Sequence, residues 1–209
     1  MIRDTKHMLR GCYAKIAIPL VCIFAAGCAT GRLLNRDDGE QQGWHNFQTA
    51  VADDGRNYDV YWMGREFDVA GQTLRGPSVS SPDQIGQIEG GGLSISYQAD
   101  ESRDEFASLD IRLYSTAAWA LLQKSRSRGA QPRLDVKQVD IHGWSAELKT
   151  NYYRPGYVAA RILVVDRGRT VIEVSTGSVV PRTPGPEPNP LIDEQTFLAA
   201  MQHLRPYPQ

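Results

Sequence analysis

Apolar and polar positions alternate along much of this chain. Leu93, Ile95 and Tyr97 alternate with Ser94, Ser96 and Gln98, and Leu109, Ile111 and Leu113 alternate with Ser108, Asp110 and Arg112. A strand sends successive side chains to opposite faces, so both runs predict strands with one buried and one wet face, the antiparallel habit. The polar stretch Asp100–Glu105 reads as the long hairpin loop between them. Trp144, Ala146 and Leu148 alternate again. Ile162–Val165 and Val171–Val174 flank Asp166-Arg167-Gly168-Arg169, a hairpin turn with its glycine in place, and the first of the pair is apolar on both faces, as in a central strand. Tyr58–Met63 predicts a first strand, with Tyr58, Val60 and Trp62 on one face and Gly64 as its end. Arg65–Asp68 reads as the start of a loop, and residues 71–92, rich in Gly, Pro and Ser, as its continuation, with Ile85 and Ile88 as core contacts and Gly90–Gly92 as its most flexible point. Val139 and Ile141 are out of phase with Leu134 and Val136, which predicts a bulge or break near Lys137-Gln138 before a turn at His142-Gly143.

Helical spacing appears in three places. Trp44, Phe47 and Val51 predict a short helix ended by Asp53-Asp54-Gly55. Ser115 is placed to cap a helix running to about Arg128, with Ala118, Leu121, Leu122 and Ser125 on its buried face. Lys124, Arg126 and Arg128 sit at its negative end and Gly129 stops it. After an extended connector from Pro181 to Pro190, Asn189-Pro190 suits a helix start. Asp193 and Glu194 lie in the first turn, Phe197, Ala200, Met201 and Leu204 form an apolar stripe, and Pro206 is the stop. The expected fold class is α+β: a single antiparallel sheet of five to seven strands with two helices, near 115–128 and 191–204, packed on it. A β-rich sandwich with peripheral helices is the second architecture.

The start of the chain has a different pattern. Arg3, Lys6, Arg10 and Lys15 stand against one acid, Asp4, and a largely apolar run follows from Ile16 to Gly27, broken by Pro19. A spanning helix needs roughly 20 apolar residues, and this run is shorter. A basic start, a short apolar run and small residues at its end describe a signal peptide. Ala25-Ala26-Gly27-Cys28 resembles the lipobox of bacterial lipoproteins, although Ala25 stands where that family prefers Leu. The resemblance implies that Gly27 is the last residue removed and that Cys28 becomes the lipidated first residue, the chain's partner being the membrane. Cys22, behind the bulky Pro19-Leu20-Val21, is a poor competitor. Domains then follow as 1–27 signal peptide, 28–43 lipidated Cys and polar flexible tether, and 44–209 one extracytoplasmic α+β domain. Ala29 stands where an Asp often retains such lipoproteins at the inner membrane. The implied destination is the periplasmic side of the outer membrane in a two-membrane cell, or the outer face of the membrane in a cell with one.

Composition narrows the chemistry. Formal net charge is −1 and the four basic residues named above belong to the leader, so the rest is acidic and no nucleic-acid partner is expected. Cys12, Cys22 and Cys28 are the only cysteines, so a domain cut at Cys28 and lipidated there has no disulfide, no Cys-ligated metal and no Cys nucleophile. His45, His142 and His203 lie at no metal-ligand spacing, no Gly-x-Ser-x-Gly elbow occurs, and Gly90-Gly91-Gly92 lacks the spacing of a phosphate loop. Asp100, Glu101, Asp104 and Glu105 lack the spacing of a calcium loop. No catalytic residue, metal or cofactor is assigned.

Most aromatics are expected in the core, but Tyr152-Tyr153-Arg154-Pro155-Gly156-Tyr157 reads as an exposed loop. Tyr152, Tyr153, Arg154 and Tyr157 form the candidate contact site for a protein or small-molecule partner. Tyr61-Trp62-Met63-Gly64 with Phe67, and the ending Phe197–Pro206, resemble uncharacterised secreted bacterial domains carrying a Tyr-Trp-x-Gly segment. That resemblance implies a sheet with helices on one face and no reaction. The functional expectation is a membrane-anchored, non-enzymatic binding or interaction module. A carrier of an apolar ligand in a sheet–helix cavity and an enzyme with an unrecognised site are the alternatives.

Overall fold

A computed structural model describes residues 36–54, 57–78, 92–99, 107–127, 134–176 and 189–208. Gly27 and Cys28, the tether before Arg36, Ile85, Ile88, Gly90, Asp100–Glu105, Arg128, Gly129 and the prolines from 181 to 188 lie outside the described residues. The elements are α1 (Arg36–Asp54), β1 (Tyr61–Trp62), β2 (Glu66–Val69), β3 (Gln72–Ser78), β4 (Gly92–Gln98), β5 (Ser108–Ser115) and α2 (Thr116–Arg126). They continue with β6 (Leu134–Ile141), β7 (Trp144–Arg154), β8 (Tyr157–Asp166), β9 (Thr170–Thr176), a 3₁₀ turn (Pro190–Ile192), α3 (Glu194–Met201) and β10 (Arg205–Pro206).

The class is α+β, built on one large antiparallel sheet with strand order β2-β3-β4-β5-β9-β8-β7-β6. That is eight strands among the described residues where five to seven were expected, and α1, read from its spacing as a short helix, packs on the sheet as well as the two helices expected there. The added strands are the β2–β3 hairpin, in the stretch read from composition as loop. Phe67 and Val69 are buried between exposed Glu66 and Asp68, and the chain reverses at Ala70-Gly71 with φ of 50° and 71°. Gly76 and Pro77 disguise the second strand. The glycine is required by packing, because a Cβ there would lie 2.7 Å from both the Ser96 carbonyl oxygen and the Tyr97 ring.

One face of the sheet, the inner face, carries the alternating apolar set. Leu113 stands opposite Ile172, Ile111 opposite Val174, and Leu163 links Val174 on one side to Leu148 on the other. All are within 1% of full burial. Phe47 of α1 and Phe197, Ala200 and Met201 of α3 cover this face, as the stripe in the last helix predicts. Asn189 caps the 3₁₀ turn and Asp193 caps α3, accepting the Thr196 amide at 2.8 Å. The helix ends at Met201, so Pro206 does not stop it and instead pairs in β10 with Tyr61. α1 starts at Arg36, so its first turns occupy part of the stretch expected as tether.

Tyr58–Met63 is not a strand of the main sheet; only its Tyr61–Trp62 part is a strand, in a two-stranded sheet with β10. Tyr58, Val60, Tyr61 and Met63 are all buried, and only Tyr61–Trp62 pairs, with β10. The segment straps the inner face. The Asp59 amide donates to Thr170 of β9 (2.7 Å), Tyr61 meets Trp144 of β7 edge-on, and the Met63 amide donates to the Tyr97 hydroxyl of β4 (3.0 Å). Contact on both sides explains why its burial does not alternate. Burial of the Tyr97 ring, in turn, pushes its phenol well above the ordinary tyrosine value.

α2 lies on the opposite, outer face, so the helices are not all on one side. The Ser115 hydroxyl accepts the Ala118 amide at 3.2 Å, as its sequence position predicts. The expected buried face of α2 is wrong in detail: Ala118 is buried, Leu121 is 53% exposed and Ser125 is exposed. Nor does β6 bulge at Lys137-Gln138. It pairs with β7 in unbroken register from Leu134 to Ile141, and the phase conflict is resolved by leaving Val136 outward, 56% exposed. The irregularity falls in β7 instead, between Asn151, Tyr152 and Arg154.

Candidate functional site

The expected contact loop is a hairpin end. β7 continues to Arg154, β8 begins at Tyr157, and Pro155-Gly156 forms the turn, Gly156 at φ 80°. The structure divides the four candidate residues. Tyr153 and Tyr157 lie 5.7 Å apart, and the Arg154 guanidinium sits 3.8 Å over the Tyr157 ring and 5.5 Å from Tyr153. A guanidinium at this distance over a ring is attracted by the ring quadrupole, worth about 0.5–1 kcal/mol at an exposed site. Tyr157 is 45% exposed. Tyr152 belongs elsewhere: its hydroxyl donates to Asp135 of β6, which raises its pKa above the ordinary tyrosine value.

Tyr152 leads into a polar cluster at this end of the inner face. Arg161 of β8 donates to the Ile192 carbonyl and to Thr150 (2.9 Å) and lies 3.5 Å from Glu194. Lys137 pairs with Glu194 at 2.6 Å. These bonds clamp the 3₁₀ turn and the start of α3 onto β6, β7 and β8. Their geometry is that of a fastening, with each donor matched to an acceptor.

A second feature has no marker in the sequence. On the outer face, a groove of about 440 Å³ opens between α2 and the β6–β8 end of the sheet. Trp119 and Gln123 form its helical wall, Gln138, Glu147 and Lys149 its sheet wall, and Val164 part of its floor. Lys149 pairs with Glu147 at 3.0 Å. Beside the groove, Glu173 of β9 is 2% exposed and accepts from Arg126 at 2.6 and 3.2 Å and from Arg112 at 3.3 Å. Its partners come from α2 and β5, so the carboxylate ties the helix to the sheet. Only the register of β5 against β9 brings Arg112 opposite Glu173, which is why sequence reading missed it.

His203 stacks on Phe67 at 4.9 Å, His142 occupies the β6–β7 turn at φ 55° beside Trp144, and His45 is exposed on α1. Among the described residues, no group of three or more His, Cys, Asp or Glu is arranged to hold a metal ion. Among the same residues, no helix is long and apolar enough to cross a membrane. No family model matches the chain, and comparison with curated proteins and with solved structures finds no match.

Proposed function

We propose that the chain is a lipid-anchored extracytoplasmic lipoprotein, cut before Cys28, whose sheet domain is a non-enzymatic binding module. The observation that carries the binding reading is the stack of Arg154 on Tyr157 at the tip of the β7–β8 hairpin, with Tyr153 beside it. Tyr and Arg dominate binding hot spots, and a preformed stack loses less conformational freedom on association. The inner face supports a binding module over a carrier of apolar ligand. Leu93, Ile95, Leu109, Ile111, Leu113, Ile172 and Val174, each no more than 1% exposed, fill the layer between sheet and helices.

A photo-crosslinking residue at Tyr157 in the full-length protein, activated in intact cells, tests the tip. Capture of one partner that disappears with Arg154→Ala is the expected result. Capture that is indifferent to Arg154→Ala would remove the tip from the reading. The anchor is tested separately with a fatty-acid probe. Cys28→Ser should abolish labelling and leave uncut precursor. In a two-membrane host, Ala29 after the cysteine favours fractionation with the outer membrane.

A further inference from the structure

The two ends of the main sheet are built differently. β2 is four residues long and carries exposed Glu66 and Asp68, a short charged edge of the kind that resists pairing. β6, at the other end, is eight residues long and regular throughout. Asp135, Val136, Lys137 and Gln138 are exposed in succession, and among the described residues no strand pairs with its outer edge. Val136 is the most exposed of the large apolar side chains among the described residues.

We infer that β6 pairs antiparallel with β6 of a second copy of this chain, joining two sheets across a two-fold axis at Val136. Among axes from Asp135 to Val139, charge complementarity selects the register, and the matching strand is the same strand of a second copy. A two-fold through an antiparallel pair sets one residue opposite itself and keeps each face continuous. With Val136 at the axis, Asp135 of each copy stands opposite Lys137 of the other on the inner face, and the two Val136 side chains meet on the outer face. Axes at Asp135 or Lys137 would set like charges against each other, and axes at Gln138 or Val139 leave both charges unmatched. Opposite charges and β-branched pairs directly across a ladder are favourable, and like charges there are not. Asp135 already accepts from Tyr152 and Lys137 already pairs with Glu194 in the same chain. Both side chains are therefore held on the strand, and each retains sites for a second partner.

The test uses the full-length protein in cells. Val136→Cys lies opposite its own copy, with Cβ atoms about 4.5–5.5 Å apart in such a pair, within reach of a disulfide after modest adjustment. Oxidation should give a dimer at a yield about tenfold above Leu121→Cys, an equally exposed position away from the edge. Asp135→Lys and Lys137→Asp, each made in the Val136→Cys chain, should each lose that dimer, because each sets like charges opposite. Co-expressed, the two variants should restore it as a mixed dimer. One copy then presents two lysines beside the axis and the other two aspartates, so both cross-strand pairs are again of opposite charge. Thermal melts of both variants guard against misfolding, and rescue on mixing is independent of that guard. Equal yields at positions 121 and 136, unchanged yield in either single charge variant, or a cross-link to a different protein with no self-dimer would each overturn the inference.

Discussion

The two faces of the sheet are held by different physics. On the inner face, α1, α3 and the Tyr58–Met63 strap close over side chains that are almost wholly buried, from Leu93 to Val174. Burial of this kind contributes roughly 1.5–3 kcal/mol per large side chain and is tolerant of exact geometry. On the outer face α2 buries one residue, Ala118, and is fastened by Arg126 to Glu173 and by the Tyr114–Trp119 ring contact at 5.5 Å. An attachment made of a few directional bonds is specific but local. The difference teaches that a helix can be positioned firmly without an apolar stripe when the sheet supplies one buried charge for it to satisfy.

Met201→Ala should sharpen this contrast most. A buried large-to-small change costs about 2–5 kcal/mol, and a denaturant melt showing under about half a kcal/mol would mean α3 is loosely seated. Next is Arg126→Met, which leaves Glu173 with Arg112 alone. Hydrogen bonds to charged groups are worth about 1.5–3 kcal/mol. Because the Arg126 side chain is 41% exposed, the low end is expected, with loss of α2 amide protection in hydrogen exchange while the inner-face strands keep theirs. If protection falls equally on both faces, the two attachments are not separate. Ser115→Ala removes the cap of α2 and should cost about 1 kcal/mol, with Ser115→Asp restoring most of it in the same melts.

A smaller effect depends on pH. Two hydrogen bonds from Thr196 hold the Asp193 carboxyl below its ordinary value. The folded chain therefore binds that proton less readily than the unfolded chain. The stabilisation is complete above the ordinary carboxylate value and is lost as pH falls through the lowered one. Asp193→Asn, which keeps a cap acceptor, should flatten the acid limb of stability as pH falls below the ordinary carboxylate value. The smallest effect belongs to Leu121→Ala. Half-exposed on α2, it should change stability by no more than about half a kcal/mol, although its spacing predicts a core position.

Alternation was legible wherever a strand has one buried and one wet face, as in β4, β5 and the first half of β7. Capping was legible in part: Ser115 and Asn189 were read at helix starts and each acts on an amide within three residues, whereas Asp193, read as lying in the first turn, is itself the cap of α3. The strap and β2–β3 were misread because their pattern is set by contacts far away. Met63 answers to Tyr97, and Gly76 is fixed by a neighbouring strand. The Tyr153–Arg154–Tyr157 group was found by its exposed-type composition, but Tyr152 was drawn into it by adjacency alone. A register shift in β7 and a carboxylate on β6 give it a different partner.

By itself the sequence determined what short-range chemistry can determine: period, caps, turns and an apolar last helix. Tertiary structure decided the rest, because strand register is a relation between distant segments. Register set Arg112 against Glu173, placed β6 at the end of the described strand order with Val136 outward, and put α2 on the face opposite α1 and α3. None of these depends on neighbours in the chain; each depends on which residues the folded sheet brings opposite one another.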